Sequence, residues 1–85
     1  MKKTIIDSSV VYDALYQKAA DQGHAVAQYI LGLMYSEGEG VKQDYFKAVA
    51  LFQKAADQGH VAAQYDLGFM YSEGKGVKQS NAKAK

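Results

Sequence analysis

The sequence contains no cysteine among its 85 residues, and only two histidines. The lack of cysteine excludes disulfide bridges and thiolate metal sites. Its formal net charge is only +1, and lysines are intermixed with acidic residues, so no clustered basic face of the kind that binds nucleic acid is predicted. No apolar run approaches the roughly 20 residues that a membrane-spanning helix needs. We therefore expect a protein that binds neither nucleic acid nor membrane.

The N-terminal residues also lack the features of a complete export signal. The chain begins MKKTIIDSSVVYD, and the apolar run after the two lysines ends when Asp7, Ser8 and Ser9 follow Ile6. A secretory signal needs roughly 7–15 apolar residues and a small-residue cleavage site. We therefore predict a protein that is not exported and lies in the cytoplasm.

One long stretch of the chain occurs twice. Residues 17–43 read QKAADQGHAVAQYILGLMYSEGEGVKQ, and residues 53–79 read QKAADQGHVAAQYDLGFMYSEGKGVKQ. At a constant offset of 36 residues, the two copies differ at only five of 27 positions. A fixed period of this size is typical of stacked supersecondary units. The repeat predicts a helical array rather than a single globular core.

The periodic apolar residues and the breaker residues between them predict four helices. We place them at about 9–22, 25–37, 45–58 and 61–73. Glycines at 23, 38, 59 and 74 are expected to end these helices, and Asp44 is expected to cap the start of the third. Gly32 lies inside the second helix, where it costs about 1 kcal/mol relative to alanine. We therefore expect a close helix–helix contact at Gly32.

These residues resemble those of the Sel-one-like repeat (SLR) family, which is related to the tetratricopeptide repeats. The resemblance extends over about residues 14–79. It is carried by an L-G-x-x-Y motif in both copies and by an A-A-x-x-G motif: Leu31, Gly32, Tyr35, Leu67, Gly68, Tyr71, Ala55, Ala56 and Gly59. Leu15 and Leu51 stand where the family often has tryptophan. The resemblance implies an all-α, right-handed α–α superhelix, an SLR/TPR-like solenoid, with about two repeats and partial repeats at both ends.

On this basis the chain divides into three segments. Residues 1–8 form an N-terminal extension, residues 9–79 the helical-repeat domain, and residues 80–85 a short polar C-terminal cap or tail. Asp66 replaces Ile30 of the first copy, and we interpret it as a mark of the array's end if that position faces the next repeat. Because the terminal helices lack outer neighbours, homo-oligomerisation through the array ends is also expected.

No residue pattern indicates catalysis, and we predict no catalytic, cofactor-binding or metal site. His24 and His60 lie one repeat apart, at about the 10 Å spacing of packed helices. This is too far for a shared metal, whose ligand atoms lie about 2 Å from the ion, so we interpret both as solvated loop histidines. The G-x-G sequences after Glu37 and Glu73 join two helices, and helix termination explains them better than phosphate binding, which needs a strand before the loop.

Apolar residues on the helix faces opposite the packing stripe indicate a binding surface. In tetratricopeptide-like arrays the first helix of each pair lines the concave side, and the resemblance implies the same here. We call the following nine residues the predicted groove: Val26, Tyr29, Leu33, Ser36, Glu37, Tyr65, Phe69, Ser72 and Glu73. Gln28 and Gln64 are expected at its rim. Alternatively, neighbouring repeats cover these aromatic rings and the surface is structural.

The resemblance implies a non-enzymatic adaptor or scaffold that binds a protein or peptide segment in the concave groove. A first alternative is a small cytoplasmic inhibitor, such as an immunity protein, that binds a single toxin or enzyme. A second alternative is a hydrolase, because some disulfide-rich members of the family have been associated with weak activity. The absence of cysteine and of a nucleophile–base pair counts against this alternative.

Overall fold

The computed structural model describes residues 8–77, and the side chains of residues 14–77. The described residues form four α-helices and no strand: α1 is Ser8–Asp21, α2 Ala25–Glu37, α3 Tyr45–Asp57 and α4 Val61–Glu73. Each helix packs against the next one in the chain. The fold is therefore an all-α superhelix of stacked helical hairpins, as predicted. The predicted polar segment 80–85 and most of the extension 1–8 lie outside the described residues.

Local sequence accounts for the helix boundaries. Asp44 caps α3, because its carboxylate accepts a hydrogen bond from the Lys47 backbone N–H at 3.1 Å. Gly38 and Gly74 follow α2 and α4 with φ of 70° and 68°, a left-handed conformation that glycine adopts without a Cβ penalty. α1 and α3 end one residue earlier than predicted. At Gln58, for example, the backbone N–H already turns to the Ala55 carbonyl three residues back, as in a tightened last turn.

Two clusters of buried residues form the core. The first joins α1 to α2 and consists of Ala20, Ala27, Leu31 and Met34. The second joins α3 to α4 and consists of Ala48, Val49, Phe52, Ala55, Ala56, Ala63, Leu67 and Met70. Alanine is frequent in both clusters, and its small side chain lets the helix backbones approach closely. Because corresponding positions of the two copies are buried, the core itself follows the 36-residue period.

Gly32 makes the close contact that its position in the sequence predicted. A Cβ atom at this residue would lie 2.7 Å from Cε1 and 2.8 Å from Cδ1 of Phe52, whose ring is 1% exposed. Only a glycine therefore allows α3 to approach α2 this closely without displacing the ring.

Candidate functional site

A cavity of about 220 Å³ lies beside α2 and α4, on the side of the predicted groove. Leu33 and Ser36 come from α2, whereas Phe69 comes from α4, and the structure thus brings together three residues of the predicted groove. The full lining consists of Leu33, Ser36, Tyr45, Phe52, Asp66, Phe69, Met70 and Lys75. Four of these eight side chains are wholly apolar, and one acidic and one basic group accompany them. The cavity can therefore receive an apolar side chain with polar or charged groups beside it.

Tyr29 belongs to the predicted groove but is engaged within the array. Its ring centroid lies 5.7 Å from that of Phe52 and 4.7 Å from that of His60. Its hydroxyl donates a 2.8 Å hydrogen bond to Oδ2 of Asp66. This hydrogen bond, followed by partial burial and repulsion between the phenolate and the carboxylate, raises the pKa of Tyr29 above its ordinary value of 10.0. Tyr29 thus links the first repeat to the second, as in the alternative where neighbouring repeats cover the rings.

The same hydrogen bond shows that Asp66 faces the preceding repeat. The hypothesis that Asp66 marks the end of the array required this position to face the following repeat, and it is wrong. Ile30, the equivalent residue of α2, likewise packs against the core cluster that α2 shares with the preceding α1. The exchange of Ile30 for Asp66 therefore replaces an apolar contact between repeats with a polar one.

The remaining residues of the predicted groove are exposed and do not line the cavity. Val26 is 58% exposed and Tyr65 is 76% exposed. Glu37, Ser72 and Glu73 are also exposed. Their place in a binding surface stays a prediction.

Gln28 is buried rather than at the groove rim, and its predicted position was wrong. Its amide N–H donates to the Ala20 carbonyl oxygen at 3.3 Å, and its Oε1 accepts a 2.9 Å hydrogen bond from Nε2 of Gln58. In the second copy, Gln64 donates in the same way to the Ala56 carbonyl. These amides satisfy backbone groups between successive helices. The available sequence signal was that both copies have glutamine at this position, as Gln28 and Gln64. This signal does not distinguish a buried amide from a residue at the groove rim.

His60 is a helix cap, a role that the interpretation as a solvated loop residue missed. Its Nδ1 accepts a hydrogen bond from the Ala63 backbone N–H at 3.1 Å, and its ring lies against Tyr29. His24 occupies the equivalent position before α2 but makes no side-chain capping bond. The two histidines therefore have different environments despite their equivalent places in the repeat.

Among the described side chains, those of residues 14–77, no group of three or more histidine, cysteine or acidic residues could hold a metal ion. Within residues 8–77, no helix is long and apolar enough to cross a membrane.

The fold and its repeated packing contacts define a class of proteins, the stacked α-helical hairpin repeats. The family model of the Sel1 repeat matches residues 14–24, 25–60 and 61–85. The chain thus belongs to the Sel1 repeat family, as its resemblance to Sel-one-like repeats indicated. Repeats of this kind are commonly protein-interaction modules.

Solved structures agree with this assignment. A Sel1 repeat protein from Oxalobacter formigenes matches 88% of this chain at 37% identity with a TM-score of 0.82. A protective antigen present in uropathogenic Escherichia coli strains, which displays an SLR fold, matches 85% of this chain at 43% identity with a TM-score of 0.80. The match spans only 31% and 15% of the length of those two chains. Among curated proteins, no sequence matches this chain significantly.

Proposed function

We propose that the chain is a protein-binding module that holds a segment of a partner protein at the cavity beside α2 and α4. The observation that carries this proposal is the cavity itself, where Leu33 and Phe69 meet next to Asp66 and Lys75. Small-molecule sites usually enclose about 300–1,000 Å³. At about 220 Å³, this cavity suits a single side chain of a protein better than a whole metabolite.

The lining also supports a particular chemistry for the partner segment. An apolar side chain of the partner would contact Phe69, which is 49% exposed in the free chain. Asp66 already accepts a hydrogen bond from Tyr29, so this carboxylate is held in place before a partner arrives. The Lys75 ammonium lies 5.5 Å from the ring centroid of Tyr45. We propose that these two charges select polar groups on either side of the apolar anchor.

The exposed residues of the predicted groove are candidate contacts for a longer partner segment. They are Val26, Glu37, Tyr65, Ser72 and Glu73. An adaptor role, in which the bound segment belongs to a larger complex, is consistent with the common use of such repeats. The proposal includes no catalytic step.

The test uses peptides selected for binding from a random library displayed on phage. Phe69→Ala should weaken binding of the selected peptides by about 1–3 kcal/mol, the cost of truncating an aromatic binding anchor. Phe46→Ala is the matched control, because Phe46 is 70% exposed on α3 and does not line the cavity. Affinities measured by calorimetry should fall only for Phe69→Ala. Equal affinities for the wild type and Phe69→Ala, or an equal loss for Phe46→Ala, would show that peptides bind elsewhere.

A further inference from the structure

The outer face of α4 is uncovered at positions that are partly buried on α2. Ala25, Tyr29 and Leu33 of α2 pack against the α3–α4 core cluster. Their equivalents on α4 are large and exposed: Val61 at 75%, Tyr65 at 76% and Phe69 at 49%. Terminal repeats that cap an array normally present a polar outer face. This face is apolar, so α4 has the surface of a helix that another element should cover.

Gly68 shows what kind of element fits this face. At the equivalent residue, Gly32, the missing Cβ makes room for the Phe52 ring of the next helix. At Gly68, a Cβ would meet nothing within 4 Å. α4 therefore retains the space that receives an aromatic residue from the second helix of a hairpin, but no described part of the chain fills it.

The opposite end of the same chain has the complementary character. α1 aligns with α3 at the 36-residue offset, and Tyr16 stands at the position of Phe52. Leu51 of α3 is half-buried against the α1–α2 core, whereas Leu15 at the equivalent position of α1 is 58% exposed. By this alignment α1 corresponds to the second helix of a hairpin and α4 to the first, and within residues 8–77 no helix precedes α1 or follows α4.

We infer that α4 of one copy packs against α1 of a second copy and thereby completes a hairpin repeat between the two. In this arrangement, Tyr16 of the second copy lies over Gly68 as Phe52 lies over Gly32. A second copy fits because the required helix, with leucine, aromatic and alanine residues at the required spacing, is encoded by this chain itself. The contact joins two different surfaces, so each copy can bind one neighbour at either end and the superhelix continues from copy to copy. This surface includes Phe69, which also lines the cavity of the proposed function, whereas Gly68 and Leu15, the two positions varied below, do not line that cavity.

Sedimentation velocity over a concentration series tests the inference with one variant for each surface. Gly68→Ala places a Cβ where the incoming ring should lie, and Leu15→Lys places a charge on the exposed face of α1. The wild type should associate beyond the dimer with increasing concentration, and each variant should raise the apparent dissociation constant by about 10- to 100-fold. Phe46→Ala, the control on the exposed side of α3, should associate like the wild type.

Mixing the two variants separates head-to-tail assembly from other arrangements. The intact α4 of Leu15→Lys can pair with the intact α1 of Gly68→Ala, so an equimolar mixture should form dimers and nothing larger. A wild type that stays monomeric throughout the series would overturn the inference, and so would a mixture that fails to dimerise. If residues 78–85 of the same chain cover α4 instead, Gly68→Ala will lower the melting temperature of the monomer, and this result would also refute the proposal.

Discussion

Replacing Gly32 with alanine is the most direct test of the packing between α2 and α3. The equivalent residue of the second copy, Gly68, is a built-in control, because no described residue packs against it. Alanine is more favourable than glycine inside a helix by about 1 kcal/mol, and this gain applies equally to both positions. The new methyl group at position 32 would lie 2.7 Å and 2.8 Å from two carbons of the Phe52 ring. At position 68 the methyl group would meet no atom of the described residues within 4 Å.

The expected magnitudes follow from these distances. Overpacking a well-filled core costs about 1–3 kcal/mol. Because the Phe52 side chain is 1% exposed and therefore has little free space to move into, we expect a cost near the upper part of this range at Gly32. Gly32→Ala should therefore lower the free energy of unfolding by about 1–2 kcal/mol after the helix-propensity gain is subtracted. Gly68→Ala should raise it by about 1 kcal/mol.

Urea unfolding followed by circular dichroism measures both changes, at a protein concentration low enough to keep the chain monomeric. The two urea midpoints should move in opposite directions, while the slope of the free energy of unfolding against urea concentration stays constant. Shifts of the same sign and similar size would show that Phe52 does not confine position 32, and the account of the α2–α3 contact would then be wrong.

Two other contacts give predictions with internal controls. His60→Ala should lower the free energy of unfolding by about 1 kcal/mol, because the cap on α4 is lost. His24→Ala should change the urea midpoint little, because His24 makes no capping bond. Equal effects of the two substitutions would refute the capping role of His60. The raised pKa of Tyr29 means that the folded chain holds the phenol proton more tightly than the unfolded chain does. The contribution of this proton to the free energy of unfolding is therefore complete below about pH 10, and it is lost as the pH rises through the folded-state pKa. Unfolding measured above pH 10 should therefore show a steeper loss of stability for the wild type than for Tyr29→Phe, and Asp66→Asn should reduce that difference; identical pH profiles would contradict the Tyr29–Asp66 contact.

Local features of the sequence were sufficient for much of the fold. The positions of α2 and α4 agree with the prediction, because the helical periodicity of apolar residues extends through each helix and a glycine with positive φ ends it. Asp44 was predicted as a cap for the same reason, since a cap depends on the next three residues of the chain. These features involve neighbours in sequence, and their physical chemistry is the same in both copies.

The candidate site depended more on contacts between repeats. The prediction grouped Leu33, Ser36 and Phe69, which do line one cavity, because helical periodicity places them on one side of α2 and α4. It assigned Gln28 to the rim, whereas that side chain is 4% exposed. Burial of this amide requires Ala20 and Gln58 as partners, and neither is a neighbour of Gln28 on its own helix.

The sequence by itself determined the repeat length, the four helices and the residues that can form a core, because the 36-residue period places nearly the same residues at equivalent positions of both copies. Only the tertiary structure decided which equivalent residues are covered. Tyr29 is held between repeats while Tyr65 is 76% exposed, although the two residues are identical and occupy the same position of the repeat. The reason is that covering a helix face requires a following element in space, and the first repeat has α3 and α4 beside it, whereas no described element follows α4.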